Sequence, residues 1–288
     1  PTEVRIVSEK LAAAGYEGYL IGGCVRDLLI GKEPKDWDIT TNANPEQIQE
    51  VFPDSFYENT FGTVGVKTES TDPRLSIVEI TPYREEGKYS DARRPDDIRF
   101  ADTIVEDLRR RDFTVNAIAY EPLKEEIVDL HEGIEDIGRK TLRTVGEART
   151  RFAEDALRMM RAIRLSAELG FTIEPNTLAG IAENAPQLGK ISKERIRDEL
   201  VKILNTDAPI HALYIAQKVG LLSHIIPELE EGIGCSQNQA HAFDVFEHLL
   251  RSLQHAADKK WPLPVRLAAL LHDIGKPRTR PHDAKKND

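Results

Sequence analysis

Two aspartates stand two positions apart in Asp36-Trp37-Asp38-Ile39-Thr40, ten residues after Arg26 in the run Gly22-Gly23-Cys24-Val25-Arg26-Asp27. If Trp37-Asp38-Ile39-Thr40 is extended, side-chain alternation sends both carboxylates to one face. Carboxylates so placed can hold Mg²⁺ between a triphosphate and an attacking hydroxyl. The apolar run Tyr19-Leu20-Ile21 ends at the glycine pair, where backbone can approach a ligand without side-chain obstruction. A short helix carrying Arg26 would follow and offer free N–H groups to phosphate. Taken singly, Asp-x-Asp also suits a solvated strand edge and Gly-Gly an ordinary turn. The ordered set of Gly22, Gly23, Arg26, Asp27, Gly31, Asp36 and Asp38 is what points to phosphate and metal chemistry.

Two further groups could read a nucleotide. In Arg110-Arg111-Asp112-Phe113-Thr114-Val115-Asn116-Ala117, a helix through 103–119 would bring Asp112 and Asn116 to one face. Arg111 could meet phosphate, and Asn116, between apolar neighbours, needs a specified partner such as a ribose hydroxyl. In Glu154-Asp155-Ala156-Leu157-Arg158, Asp155 and Arg158 would be helix neighbours. They could be an ordinary intrahelical ion pair, as could Glu154 and Arg158. They also match base chemistry: cytosine and adenine each present a ring-nitrogen acceptor beside an amino donor, for which Arg donates and Asp accepts. Uracil and guanine present the reverse pattern.

These motifs, in this order, resemble the nucleotidyltransferase superfamily, in the branch shared by bacterial class II tRNA CCA-adding enzymes and poly(A) polymerases. The resemblance implies template-independent addition of C and A to a tRNA 3′ end from CTP and ATP, with Mg²⁺. On it, Asp36 and Asp38 are the catalytic metal ligands, with Glu79 as a third carboxylate. Gly22, Gly23, Arg26 and Arg111 hold the triphosphate, Asp112 and Asn116 the ribose, and Asp155 and Arg158 the base. Arg161 is counted among the nucleotide contacts. Residues 129–145 resemble the family's head-to-neck connector, and on sequence alone read as a Gly-containing turn between strand and helix. Ile191-Ser192-Lys193-Glu194-Arg195 resembles a supporting helix, with phosphate contacts open to Lys193 or Arg195. Partial enzymes adding only A or only CC, and poly(A) polymerases, are the near alternatives. His248 and the adjacent pair His272-Asp273 resemble the opening of a metal-binding HD domain. No final ligand is evident after Asp273, so a complete hydrolase site is not expected. The alternative of another class is an HD phosphohydrolase whose head merely binds RNA.

The elements that must carry these residues follow from patterning. Apolar spacing predicts a helix over residues 1–16, strands at 18–21, 37–40, 55–59, 62–68, 75–83 and 127–130, and a helix at 45–52 opened by Asn44-Pro45. Residues 84–96, polar and broken by Gly87 and Pro95, read as a mobile surface loop. After about residue 138 no clear strand is expected; helices are predicted at 150–169, 177–185, 192–204, 209–220 and 241–257. The fold class is therefore α+β: a small mixed-sheet head (1–138), a helical neck and body (139–230) and an HD-like helical segment (231–288).

The chain has 288 residues, of which 40% are hydrophobic and 31% charged, enough for more than one core. No uninterrupted apolar stretch approaches a membrane span and the start lacks a signal-peptide core. With only Cys24 and Cys235, a reduced, cytoplasmic protein is expected. The net charge of −10 argues against nucleic acid only if the charge is evenly spread. Between Arg139 and Arg164 arginine and lysine greatly outnumber acids, which suggests a basic stripe for triphosphate and RNA backbone.

Overall fold

Strand alternation sets the architecture of the N-terminal unit. In β1 (Tyr19–Ile21), Leu20 joins one apolar cluster and Ile21 another, so the sheet is buried on both faces. A computed structural model describes residues 1–57, 62–86, 98–236 and 243–279. It divides into two compact units, Pro1–Glu154 and Asp155–Asp288.

The first unit begins with α1 (Thr2–Ala13), followed by β1, α2 (Gly23–Leu29), β2 (Asp38–Thr41), α3 (Pro45–Val51), β3 (Ser55–Tyr57), β4 (Val64–Lys67) and β5 (Ile77–Pro82). These strands and β8 (Ile118–Glu121) and β9 (Glu126–Asp129) form one seven-stranded sheet in the order β3-β4-β5-β2-β1-β8-β9. The β2–β5 pair is parallel and the other neighbours are antiparallel. Val4, Val7 and Leu11 of α1 and Ile48 of α3 cover one face, packing on Leu20, Ile39, Val64, Val78 and Ile80. Burial of each such side chain is worth about 1.5–3 kcal/mol. The start of α3 is fixed by a reciprocal box: Asn44 accepts from the Gln47 N–H while Gln47 accepts from the Asn44 N–H.

A separate hairpin pairs β6 (Arg84–Glu86) with β7 (Ile98–Phe100). The first residues of the predicted loop are thus strand, and the rest of it, residues 87–96, lies outside the described residues. The unit closes with α4 (Ile104–Arg109), α5 (Gly133–Gly138), β10 (Thr141–Leu142) and α6 (Ala148–Glu154).

The helix expected through 103–119 stops at Arg109. Residues 112–115 instead bond to a distant segment: Thr114 N–H donates to the Arg143 carbonyl and Val145 N–H to the Asp112 carbonyl. A 3₁₀ turn at Thr114–Asn116 then leads into β8. Peptide groups claimed by residues 143–145 cannot continue a helix ladder.

The second unit is helical apart from β11 (Thr172–Ile173): α7 (Leu157–Leu169), α8 (Pro175–Asn184), α9 (Lys193–Leu204), α10 (Pro209–Lys218), α11 (Pro227–Glu230), α12 (Val245–Asp258), α13 (Leu263–Leu271) and α14 (Lys276–Thr279). The two-residue strands at 141–142 and 172–173 correct the expectation of no strand after 138. Helix α7 buries Met159, Met160, Ile163 and Ala167 and packs on α9 and α10. It ends at Gly170 with φ 69°, a left-handed stop that glycine adopts without strain. Helix α12 packs on α10 and α13. Among the described residues no helix is long and apolar enough to cross a membrane.

Candidate active site

The glycine pair sits where the sequence placed it, at the β1–α2 junction. Gly22 has φ 77° and precedes α2. A Cβ there would lie 3.2 Å from Arg111 Nη1 and 4.0 Å from Asp38 Oδ2, so the backbone of Gly22, the carboxylate of Asp38 and the guanidinium of Arg111 surround one point. Cys24, next in the motif, is fully buried and donates its S–H to the Ile21 carbonyl at 3.2 Å. Burial pushes its thiol up to about 11.

Asp38 opens β2, and parallel pairing sets Glu79 of β5 in register beside it. Both are half-buried. Asp36 lies in an exposed bend just before the strand, so Asp36 and Asp38 are not two residues of one regular strand as the sequence suggested. The Glu79 N–H bonds to the Trp37 carbonyl and carries the ladder only one residue past Asp38.

Arg26 is a buried brace. Its Nη1 donates to Asn116 Oδ1 at 2.7 Å, and Nε and Nη2 both reach Asp27 Oδ1. Asn116 in turn donates to Asp112 Oδ1 at 3.3 Å, and the same oxygen accepts from the Phe113 N–H. Asp112 and Asn116 are therefore joined, but through a bend and a 3₁₀ turn rather than along a helix face. The turn itself is locked from behind: Thr114 Oγ1 donates to Asp136 Oδ2 at 2.5 Å, and Arg143 Nε to the same oxygen. The predicted glycine turn is present, with Asp129 accepting from the N–H groups of Gly133 and Ile134 at 2.9 Å. Near it, burial holds the His131 imidazole below its ordinary range.

Arg111 is aimed by a residue that sequence reasoning passed over. Asp107 of α4 is fully buried; its Oδ1 accepts from Arg110 Nε and Nη2, and its Oδ2 from Arg111 Nε and Nη2. The Arg84 N–H, at the start of β6, adds a fifth donor. Burial alone would raise the Asp107 carboxyl, but the Arg111 and Arg110 charges outweigh it and hold it below the ordinary carboxylate range. Its signal was legible: a carboxylate three and four residues before Arg110-Arg111 on a capped helix.

In the second unit, Asp155 and Arg158 are not on one continuous helix. Asp155 lies just ahead of α7, where its Oδ1 accepts from the Leu157 N–H at 3.0 Å and its carbonyl from the Arg158 N–H. Its Oδ2 pairs with Arg195 Nη2 at 2.8 Å. Arg158 is buried and Arg161, one turn on, is half-buried. Much of the expected basic stripe is bound internally: Arg143 to Asp136, Arg151 to the carbonyls of Val145, Arg109 and Arg110, and Arg164 to Glu168 and Glu199.

Among the described residues, one set of three metal-ligand side chains gathers within 4.8 Å: His248, His272 and Asp273. The two histidine Nε2 atoms face each other at 3.0 Å, and Asp273 Oδ2 lies 3.6 and 3.3 Å from them. His272 Nδ1 is 3.0 Å from the Ala269 carbonyl. That contact assigns the Nδ1–H tautomer and turns the Nε2 lone pair toward the cluster. Asp36, Asp38 and Glu79 do not converge this closely.

Residues 18–143 match the family model described as the poly A polymerase head domain. Residues 170–233 match the probable RNA and SrmB-binding site of polymerase A, and 245–288 the HD domain. A solved structure of the Bacillus stearothermophilus CCA-adding enzyme in complex with CTP is 34% identical, with a TM-score of 0.74, covering 96% of this chain and 71% of that one. The chain belongs to the CCA-adding enzyme family. Another solved family structure, a tRNA nucleotidyltransferase complexed with a primer tRNA and an incoming ATP analog, is 25% identical with a TM-score of 0.71, covering 93% and 75% of the two chains. The CCA-adding enzyme of Limosilactobacillus reuteri is 44% identical over 231 residues, 78% of this chain and 55% of that protein. The chain thus spans about half the length of the curated CCA-adding enzymes it matches.

Proposed function

We propose that this chain adds C and A nucleotides to the 3′ end of tRNA from CTP and ATP without a nucleic-acid template. The observation that carries the reading is the convergence of Gly22 backbone, Asp38 and Arg111 on one point, with Glu79 in register beside Asp38. A head that only bound RNA would have no use for paired carboxylates there. The donors are oxygens only, half-buried at Asp38 and Glu79 and exposed at Asp36, and oxygen donors suit a hard divalent cation. Such an ion, Mg²⁺ in our reading, would supply charge neutralisation at the α-phosphate and acidify the attacking hydroxyl.

The remaining roles belong to side chains. Asp38 and Asp36, with Glu79, hold the cation. Gly22 and Gly23 admit the triphosphate close to backbone, and Arg111 balances its charge. Arg26 keeps Asn116 and Asp112 oriented toward the ribose. Arg158 donates to the ring nitrogen of cytosine or adenine, and Asp155 accepts from the exocyclic amine. Residues 1–138 form the catalytic head in this scheme, 139–230 the neck and body that receive tRNA, and 231–288 the HD-like segment.

The test supplies tRNAs ending before CCA, after the first C, or after the second C, each with one labelled nucleotide. Incorporation of C, C and A respectively is expected. C on the first two alone, or A on the last alone, identifies a partial enzyme, and long A tails a poly(A) polymerase. A second reading has its own observation: His248, His272 and Asp273 gather as a cation site. If they make a phosphohydrolase, metal-dependent phosphatase activity will vanish in His272→Ala while nucleotide addition persists.

A further inference from the structure

Arg195 stands on α9 one turn before Glu199, so the two side chains leave the same side of that helix. Glu199 is almost fully buried and pairs with Arg164 of α7 at 2.5 Å. This pair sets the register of α9 along α7. One turn toward the N-terminus, Arg195 Nη2 meets Asp155 Oδ2 at 2.8 Å. The other carboxylate oxygen already takes the Leu157 N–H. An ionised carboxylate offers about four acceptor positions, so two contacts leave others for a ligand while removing the freedom of the group to turn.

We propose that Arg195 is a positioning residue for base selection: it fixes the Asp155 carboxylate so that its remaining acceptor positions meet the exocyclic amine of cytosine or adenine. This rests on the reading of Asp155 and Arg158 as the base-reading pair. Held at both oxygens, the carboxylate cannot swing away to tolerate the carbonyl of uracil or guanine, which would face it lone pair to lone pair. A planar guanidinium fixes a carboxylate in direction as well as position, which an ammonium does not. Arg195→Lys therefore keeps the charge and loses part of the geometry.

Single-turnover addition to a tRNA lacking CCA, measured with CTP and with UTP, tests this in Arg195→Ala, Arg195→Lys, Asp155→Ala and the Asp155→Ala/Arg195→Ala double variant. Arg195→Ala should lose about tenfold of the CTP-over-UTP preference, equivalent to about 1.4 kcal/mol, with tRNA affinity unchanged. Arg195→Lys should fall between it and the parent. The double variant should discriminate no worse than Asp155→Ala alone, because Arg195 acts through Asp155. Should Arg195→Ala fold poorly, the Lys variant carries the same comparison. An unaltered ratio in both Arg195 variants beside a collapsed one in Asp155→Ala overturns the inference and leaves the base-reading pair standing. A further loss on adding Arg195→Ala to Asp155→Ala also overturns it. An unaltered ratio in Asp155→Ala defeats the underlying reading itself.

Discussion

Gly133→Ala offers a test of how tightly the turn that carries Asn116 is held. A Cβ on Gly133 would lie 2.3 Å from the Thr114 carbonyl oxygen, 2.9 Å from the Thr114 carbonyl carbon and 2.8 Å from Ile118 Cγ1. Ordinary contact starts near 3.4 Å, so backbone must yield by about 1 Å, and overpacking of that kind costs roughly 1–3 kcal/mol. At about 2–4 °C per kcal/mol for a unit of this size, the melting temperature should fall by about 2–12 °C. The displaced atom belongs to the 3₁₀ turn that carries Asn116, so the damage reaches the site. Misplacement by about 1 Å can cost on the order of a hundredfold in rate; a ten- to hundredfold fall in nucleotide addition by the folded variant is expected. Gly138→Ala, five residues on in the same helix, meets nothing within 4 Å and serves as control. Thermal melts and single-turnover rates decide. A Gly133→Ala enzyme matching its parent in both, or a control that suffers equally, would refute the packing argument.

Asp38→Ala should lower addition of every nucleotide by at least about a hundredfold, since metal-assisted charge stabilisation is worth several kcal/mol, while filter binding shows tRNA affinity intact. Asp107→Asn strips two arginines of a buried counter-charge and should cost about 3–5 kcal/mol near neutral pH. Because the folded-state carboxyl is held low, that stabilisation is complete above the unfolded value of about 3.9 and fades as pH falls through the folded one. Melts recorded against pH should therefore show the gap between parent and variant narrowing in acid. His272→Ala should weaken Mn²⁺ binding at the His248–Asp273 cluster by at least tenfold in calorimetry, a loss of about 1.4 kcal/mol, and leave nucleotide addition unchanged.

Most of the head was legible because its strands are short, alternating and bounded by turn residues. Tyr19-Leu20-Ile21 splits cleanly between two cores, and Asn44-Pro45 with Gln47 spells out a helix start. The segments were misread because other hydrogen bonds, some from afar and some from a residue's own side chain, outcompeted helical or strand spacing. Asp112 to Asn116 has helical periodicity, yet Arg143 and Val145 take up its peptide groups. Asp155 reads as mid-helix, yet its own carboxylate claims the Leu157 N–H and breaks the run. Asp36 was expected beside Asp38 on a strand; its bend is set by where the β2–β5 ladder ends. Pairings such as Asp155 with Arg195 span forty residues, and no periodicity within one element can announce them.

The buried thiol of Cys24 bears on how the molecule can be handled. With an acid constant near 11, about one thiol in ten thousand is ionised at pH 7, and only the thiolate attacks an electrophile. Cys235 is half-buried and is the only other cysteine. A maleimide dye at neutral pH should therefore attach once per folded chain and twice in denaturant. The native sequence thereby supplies a single spectroscopic reporter on the helical unit, and a slow second attachment would time the opening of the sheet that shelters Cys24.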